Sequence, residues 1–212
     1  MGSEPSGLGE LNESQVALEA LTKHRARLRR RLALFLIGVG LLLLLYVSVQ
    51  YAQMYAGQRR LALEWKEQNA PSATVPRDDR EALTRLTIAK IKLDAVIVEG
   101  TSRKSLKLGP GHMEHSVLPG YSGNSVIVAH RDTFFRHLDE LQKGDEIDLR
   151  RQGELYRFEV TGRHIVEPTD LSSLSHSTSA QLTLITCYPT HYIGPAPKRL
   201  VVVARLTAAD PD

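Results

Sequence analysis

The chain has 212 residues, enough for one compact domain with an appendage but not for two full domains. Apolar residues make up 42% and charged residues 24%, which is ordinary globular usage and excludes a chain that is disordered throughout. A formal net charge of +3 is too small to indicate a nucleic-acid-binding protein, and the single cysteine excludes both an intramolecular disulfide framework and a zinc site built on several thiolates.

An uninterrupted apolar segment covers residues 32–49, LALFLIGVGLLLLLYVSV, which are 18 residues without a charge. As a helix it would be about 27 Å long, close to the hydrocarbon thickness of a bilayer. It has no polar face, and Tyr46, Tyr51 and Tyr55 gather at its C-terminal end, where aromatic rings favour the membrane interface. The segment therefore predicts a transmembrane helix rather than a buried core helix.

The basic residues that flank this segment predict its orientation. Residues 12–31 contain six Lys or Arg and residues 50–69 contain three, so the N-terminal side is expected in the cytoplasm and the C-terminal bulk outside it. A cleaved signal peptide is the alternative, with Ala52 and Ala56 near a cleavage point, but the apolar run is longer than a typical signal-peptide core. We interpret residues 1–31 as a cytoplasmic tail and the apolar segment as a retained signal anchor.

Residues 50–83 predict a stalk between the membrane and a folded domain. Residues 56–69 can continue the membrane helix outward, whereas residues 69–80, NAPSATVPRDDR, carry two prolines and no apolar period, which is typical of a linker. The folded domain is expected over residues 84–207, followed by a short C-terminal tail, 208–212.

The expected domain has the pattern of short strands separated by turns. About seven strands at this spacing in about 130 residues predict a mainly β fold, either a closed barrel or a sandwich. One short helical turn is expected in FFRHLDEL, residues 134–141. The predicted strands are residues 86–91, 93–98, 125–130, 146–151, 155–164, 181–187 and 200–206.

The single cysteine is informative because oxidising compartments usually pair thiols. In an exported domain Cys187 is buried and inert, linked to another chain, or used as a nucleophile. It ends the strand LTLIT and is followed by Tyr188 and Pro189, which places it at a rim, and Arg199 opens the next strand and can return to the same rim. The pattern therefore indicates a candidate nucleophile beside the inert alternative.

A cysteine nucleophile needs a cation nearby, because only about 3% of an unperturbed thiol is thiolate at pH 7. Histidine serves this purpose, since it can also act later as an acid. Of the eight histidines, His130 ends the apolar strand SVIVAH and precedes a polar turn, which mirrors the placement of Cys187. We interpret His130 as the candidate partner of the cysteine.

Five motifs follow the predicted signal anchor in the order GPGH at 109–112, LPG at 118–120, AHRDTFF at 129–135, TLITC at 183–187 and KRLVVVA at 198–204. Together they resemble the sortase family, and most resemble its class D members. The similarity covers about residues 84–207. One departure is Ala129, where many relatives have glycine before the histidine.

The resemblance implies an eight-stranded sortase-type β-barrel with short helices, preceded by one N-terminal transmembrane helix. It implies that Cys187 is the nucleophile, His130 the general acid/base and Arg199 the stabiliser of the oxyanion and substrate. A guanidinium suits that role because it keeps its charge and offers donors in a planar fork. In sortases the connection before the cysteine strand, here residues 169–179, also helps to shape the substrate groove.

Other polar residues have weaker signals. The sequence His112-Met113-Glu114-His115 has metal-like spacing without a further ligand, and Glu167 and Asp170 alone make no calcium site, so no metal or cofactor is expected. Four residues are interpreted as candidates for contacting substrate: Thr186, Tyr188, His112 and His191.

The expected function is that of a membrane-anchored enzyme with its catalytic domain outside the cytoplasm. It would cleave a Leu-Pro-x-Thr-Gly-like sorting signal of exported proteins through a thioester and transfer the acyl group to an amine. The acceptor would be a peptidoglycan precursor or a pilin-like lysine, and no nucleic acid is expected as a partner. Two alternatives stay open: a cysteine endopeptidase with water as the acceptor, and a non-catalytic anchored peptide-binding domain.

Overall fold

The structure, a computed structural model, describes residues 7–70, 82–192 and 194–211. The chain divides into two units, Met1–Ala52 and Gln53–Asp212. Most of the predicted linker at 69–80 lies outside the described residues.

The first helix, α1, spans Gly7–Gln68. Among the described residues, its Lys23–Gln68 portion is the one helix long and apolar enough to cross a membrane. Large apolar side chains such as Leu34, Phe35 and Leu42 are more than half exposed, as expected for a surface that lipid would cover. The predicted N-terminal membrane-helix candidate is therefore confirmed in length and composition.

The last turns of α1, within the second unit, pack on strands of the folded domain. The Gln58 side-chain amide accepts from Val96 N at 2.9 Å and donates to Val96 O at 3.0 Å, so it completes both backbone bonds of that residue. Trp65 Nε1 donates to Arg150 O at 3.3 Å, and the Arg85 guanidinium lies 5.1 Å from the Trp65 ring centroid. Part of the predicted stalk is thus in hydrogen-bonded contact with the strands.

Eight strands close into a barrel in the order β1-β2-β3-β4-β7-β8-β6-β5, with β5 pairing β1. The pairs β2–β3 and β4–β7 are parallel, and the other pairs are antiparallel. This confirms the predicted eight-stranded barrel. The strands are β1 Thr84–Ile88, β2 Leu93–Glu99, β3 Gly111–His112, β4 Gly123–Val128, β5 Glu146–Arg151, β6 Glu154–Val166, β7 Ala180–Tyr188 and β8 Lys198–Pro211.

Several elements differ from the sequence prediction. The strand predicted over 86–91 ends at Ile88, and the strand predicted over 125–130 ends at Val128. Strand β3 was not predicted because its Gly-Pro-Gly context is typical of a turn. The short helix α2, Arg103–Leu108, begins at Ser102, whose hydroxyl accepts from Ser105 N. Strand β8 extends through most of the residues predicted as a C-terminal tail, because Pro211 still pairs with Glu154 of β6. The domain boundaries themselves remain a prediction.

The barrel core fixes which side chains face outward. Leu182, Leu184 and Thr186 of β7 lie at or below 1% exposure, and their partners on β8 are equally buried. Since side chains alternate along a strand, the residues between them, including Cys187, face the opposite side of the sheet. In β7 and β8, burial of the even-numbered positions therefore turns Cys187 and Arg199 to the outer face.

Candidate active site

Cys187 and Arg199 lie on neighbouring antiparallel strands as direct partners in the β7–β8 register. Directly opposed residues share a face of the sheet, with Cβ atoms about 4.5–5.5 Å apart. The Cys187 thiol is free and half-buried, so it is open to a substrate from the outer face. The register thus brings the predicted nucleophile and the predicted arginine together.

His130 follows β4, which runs parallel to β7 with Val128 opposite Ile185. The pairing continues one step further, since Ala129 N donates to Ile185 O at 3.2 Å and Thr186 Oγ1 donates to Ala129 O at 2.8 Å. Two residues beyond Val128, His130 is therefore level with Cys187. Because parallel strands lie about 4.8 Å apart, the structure brings these two predicted residues to the same rim.

Ala129, where many relatives have glycine, packs in the core of the barrel. Its methyl belongs to the hydrophobic core and the residue is only 3% exposed. Its backbone N–H and C=O are both hydrogen-bonded, to Ile185 O and from Thr186 Oγ1 respectively. The added methyl is therefore accommodated on the core side, away from the face that carries His130.

Arg199 keeps hydrogen-bond donors for a ligand. Its Nη1 donates to Lys198 O at 3.0 Å and lies 3.5 Å from Ala196 O. Within the described residues, its Nε and Nη2 have no partner. The direct register partner of Cys187 therefore has donors that are not used within the described residues, and such donors can stabilise the negative charge that develops in an attack on a carbonyl.

A cavity of about 780 Å³ lies between β6, β7 and β8 and the loop that precedes β7, and its lining does not include His130, Cys187 or Arg199. Val166 of its lining is the register partner of Arg199. Val203 lies four residues after Arg199 on β8, so by alternation the two share a face of the sheet. The wall is polar and rich in hydroxyl groups. The lining residues are His164, Ile165, Val166, Ser172, Ser173, Ser175, His176, Ser177, Thr178, Gln181 and Val203.

Asn124 anchors this loop to the sheet. Its Nδ2 donates to Ser173 O at 2.9 Å and to Ser175 O at 3.2 Å, while its Oδ1 accepts from Thr183 Oγ1 at 2.7 Å. With 4% exposure, it is a buried amide whose hydrogen bonds are satisfied on both sides. Sequence reasoning did not select Asn124, although a lone amide at the start of the apolar strand NSVIVAH is the signal that identifies it.

The four residues predicted to contact substrate are not brought together. Thr186 is 1% exposed on the core side, with its hydroxyl bound to Ala129 O. Tyr188 packs against the hydrophobic core and lines a separate cavity of about 330 Å³. His191 is exposed in the loop after β7, with its ring centroid 6.3 Å from that of His137.

His112, the fourth of these residues, is 4% exposed and serves a structural network. Its Nδ1 lies 3.0 Å from Glu99 Oε2, and its Nε2 lies 2.9 Å from Ser116 Oγ and 3.0 Å from Val117 O. Ser116 Oγ in turn accepts from Val126 N of β4. The ring therefore fastens the β3–β4 connection to the barrel, and both of its nitrogens are occupied within the protein.

Possible metal ligands do not cluster in the part of the chain that the structure describes. Among the described residues, no group of three or more His, Cys, Asp or Glu side chains has the geometry to hold an ion. Asp170, considered from the sequence as a calcium ligand, accepts hydrogen bonds from Ser172, and these lower the pKa of its carboxyl. Its carboxylate thus stabilises a turn at the start of the loop that precedes β7.

The sortase domain family matches residues 86–207, more than half of the chain. The chain belongs to the sortase family. Sortase D of Bacillus subtilis is 39% identical over 122 residues, which are 57% of this chain and 61% of that protein. Sortase A of Listeria monocytogenes is 28% identical over 134 residues, covering 60% of this chain and 58% of that protein.

Solved sortases share the barrel. The structure of a Clostridium perfringens Sortase D5 transpeptidase superposes with a TM-score of 0.63 at 26% identity, covering 72% of this chain and 99% of that one. This sortase spans about three fifths of the length of the curated relatives it matches. The predicted resemblance is confirmed.

Proposed function

We propose that this sortase is a membrane-anchored cysteine transpeptidase. It cleaves a Leu-Pro-x-Thr-Gly-like sorting signal near the C-terminus of exported proteins and joins the new carboxyl end to an amine at the cell surface. The observation that supports the proposal is that Cys187 and Arg199 are direct partners in the β7–β8 register, while His130, two residues beyond the Val128–Ile185 pair, is level with Cys187.

The chemistry follows from these positions. The Cys187 thiolate attacks the carbonyl carbon of the scissile bond, and the charge that forms on the carbonyl oxygen is stabilised by the free donors of Arg199. His130 as imidazolium gives a proton to the departing amine, which leaves a thioester on the cysteine. An incoming amine then loses a proton to His130 and displaces the thiolate, so the peptide bond is re-formed and the enzyme is regenerated.

Substrate class is inferred from the cavity between the sheet and the loop that precedes β7. With a volume of about 780 Å³ and Val166, the register partner of Arg199, in its lining, it offers room for several residues of an extended peptide. Its floor includes Val166 and Val203, which suit apolar side chains, and its wall offers serine hydroxyls and two imidazoles for peptide backbone groups. An extended, mixed-polarity signal of the sorting type fits this lining.

Location is inferred from the N-terminal helix and its flanks. The six basic residues within 12–31, against three within 50–69, support a cytoplasmic N-terminal side and a barrel outside the cytoplasm. Protease added to intact spheroplasts should therefore digest the barrel and spare the N-terminal tail. Protection of the barrel in that assay would reverse the orientation.

The experiment that tests the proposed activity is product analysis with a fluorogenic sorting-signal peptide. With an added amine such as triglycine, most of the acyl product should be joined to the amine. Release of the free acid as the main product at saturating amine would favour the cysteine endopeptidase. Binding of the peptide without cleavage, and with Cys187→Ala binding equally well, would favour the non-catalytic peptide-binding domain.

A further inference from the structure

Arg131 directly follows His130, and its side chain reaches across the site to the loop after β7. Nη1 donates to Pro189 O at 2.8 Å and Nη2 donates to Gly194 O at 2.5 Å. The guanidinium also lies 5.7 Å from the ring centroid of Tyr192 in the same loop. One side chain thus contacts the loop near its start, in its middle and toward its end.

This loop, residues 189–197, connects the strand of Cys187 to the strand that opens with Arg199. It is irregular in its described part and has no strand partner there. Side-chain contacts must therefore hold it in place, because no ladder of backbone hydrogen bonds does so. Its position affects both ends of the catalytic pair, since it is covalently attached to each.

A second tether supports the same junction. Thr190, 7% exposed, donates from Oγ1 to Asp139 Oδ2 at 2.9 Å. Asp139 and Arg131 both belong to the β4–β5 connection, residues 129–145. The segment that carries the histidine is therefore fastened to the loop that follows the cysteine at several points.

We propose that Arg131 is a positioning residue, which clamps loop 189–197 to the β4–β5 connection and so keeps His130 level with Cys187 during acyl transfer. Its kinetic consequence rests on the proposed function. The planar fork suits the task because two donors point in fixed directions at two separate carbonyl groups, and hydrogen bonds from an ionised donor are about twice as strong as neutral ones. A lysine has one ammonium and holds the two carbonyls less well.

The alternative is that Arg131 is an ordinary solvated surface residue. Arg136 provides the comparison, because it lies in the same connection, is exposed, and its side chain has no partner among the described residues. Arg131 instead directs both terminal nitrogens to backbone oxygens of one loop. The matched variants are therefore Arg131→Met, Arg131→Lys and Arg136→Met in the full chain.

If Arg131 clamps the loop, its loss should lower the rate of acyl transfer more than the affinity for the peptide. Displacing a reacting group by about 1 Å can cost about 100-fold in rate. We expect Arg131→Met to slow acyl-enzyme formation by about 10- to 100-fold at saturating peptide, with a smaller change in KM. Arg131→Lys should recover part of the rate, and Arg136→Met should match the wild type.

Hydrogen exchange supplies a readout that needs no substrate. In Arg131→Met the amides of loop 189–197 should exchange faster, while those of Leu182–Thr186 in β7 should keep their protection. Thr190→Val, which removes the second tether, should give the same loop-limited pattern and a smaller loss of rate. It also provides a test if Arg131→Met fails to fold.

The outcomes separate the clamp from the proposed function. Unchanged loop exchange in Arg131→Met and in Thr190→Val, or acylation by Arg131→Met at the rate of Arg136→Met, would overturn the clamp. A wild-type protein that forms no acyl-enzyme would overturn the proposed function instead, and the exchange measurement would still decide whether Arg131 holds the loop.

Discussion

Cys187 and Arg199 face each other across β7 and β8, so the register of two strands sets the geometry of the candidate site. A shift of that register by one residue would turn one of the two side chains to the opposite face. Leu184 and Val202, both at 0% exposure, pair in the same ladder and prevent such a shift. The packing of the core side chains therefore also fixes which residue of β8 lies opposite Cys187.

Asn124 is expected to control the groove through its loop. Asn124→Asp replaces the Nδ2 donor with an acceptor, which would face Ser173 O and Ser175 O and repel them. We expect KM for a sorting-signal peptide to rise about 10-fold with a smaller effect on kcat, because the change is in binding rather than chemistry. Steady-state kinetics of the purified full chain measures this.

Asn69→Asp is the matched control, since it makes the same chemical change away from the groove. Asn69 Oδ1 accepts from Gly153 N, and an aspartate keeps that acceptor. An Asn124→Asp protein with the KM of Asn69→Asp would show that the loop does not need this anchor.

The strands of this sortase could be predicted well because their signal is local. Alternation of apolar residues in LTLITC and SVIVAH, with a polar turn after each, predicted Cys187 and His130 at strand ends. In the structure Cys187 is the last residue but one of β7, and His130 lies two residues beyond the end of β4. Arg199 was also predicted at the start of a strand, one residue inside β8. Motif similarity then assigned the three roles, which remain a proposal.

Contacts between distant segments could not be predicted in the same way. Thr186 lies beside the cysteine in sequence, yet alternation along β7 turns it to the core. His112 looked like a loop residue because its strand is only two residues long and exists only through pairing with β2 and β4. Gln58 looked like part of a stalk, because nothing local indicates that its amide binds Val96, 38 positions away.

Gln58 is expected to stabilise the barrel through the edge of β2. In Gln58→Met the N–H and C=O of Val96, a residue 1% exposed, lose their partner. An unsatisfied buried backbone group costs about 1–3 kcal/mol, so the free energy of unfolding should fall by about that amount. Denaturation of the full chain in detergent, followed by tryptophan fluorescence, reports the change.

Gln53→Met is the control, because Gln53 is exposed and makes no described contact with the barrel. Equal stability of the two variants would mean that the Gln58 bonds to Val96 do not contribute to the stability of the barrel. It would also support the prediction that residues 50–83 act only as a stalk.

Asp94 is expected to make the thermal stability of the protein depend on pH in the acidic range. Bidentate side-chain hydrogen bonds from Arg85, both at 2.7 Å, lower the pKa of the Asp94 carboxyl. A carboxyl with a lower pKa in the folded state adds stability above its unfolded pKa and loses that contribution as the pH falls through the folded value. The Tm of the wild type should therefore fall on acidification below about pH 4 more steeply than that of Asp94→Asn.

Asp132→Asn controls for the loss of a negative charge, since Asp132 is exposed and has no ion pair within the described residues. Differential scanning fluorimetry from pH 7 to pH 3 compares the three proteins. If Asp94→Asn and Asp132→Asn have the same Tm profile as the wild type, the Arg85 pair does not contribute to stability.

The mass of the intact protein after mixing with a sorting-signal peptide tests the central claim most directly, because it detects the thioester itself. The wild type should gain the mass of the acyl fragment on Cys187, and Cys187→Ala should gain none. His130→Ala should acylate almost undetectably, and Arg199→Lys should acylate about 100- to 1000-fold more slowly, the usual cost of losing one oxyanion donor. An acyl fragment on folded Cys187→Ala, or acylation of Arg199→Lys at the wild-type rate, would contradict the proposed roles of Cys187 and Arg199 respectively.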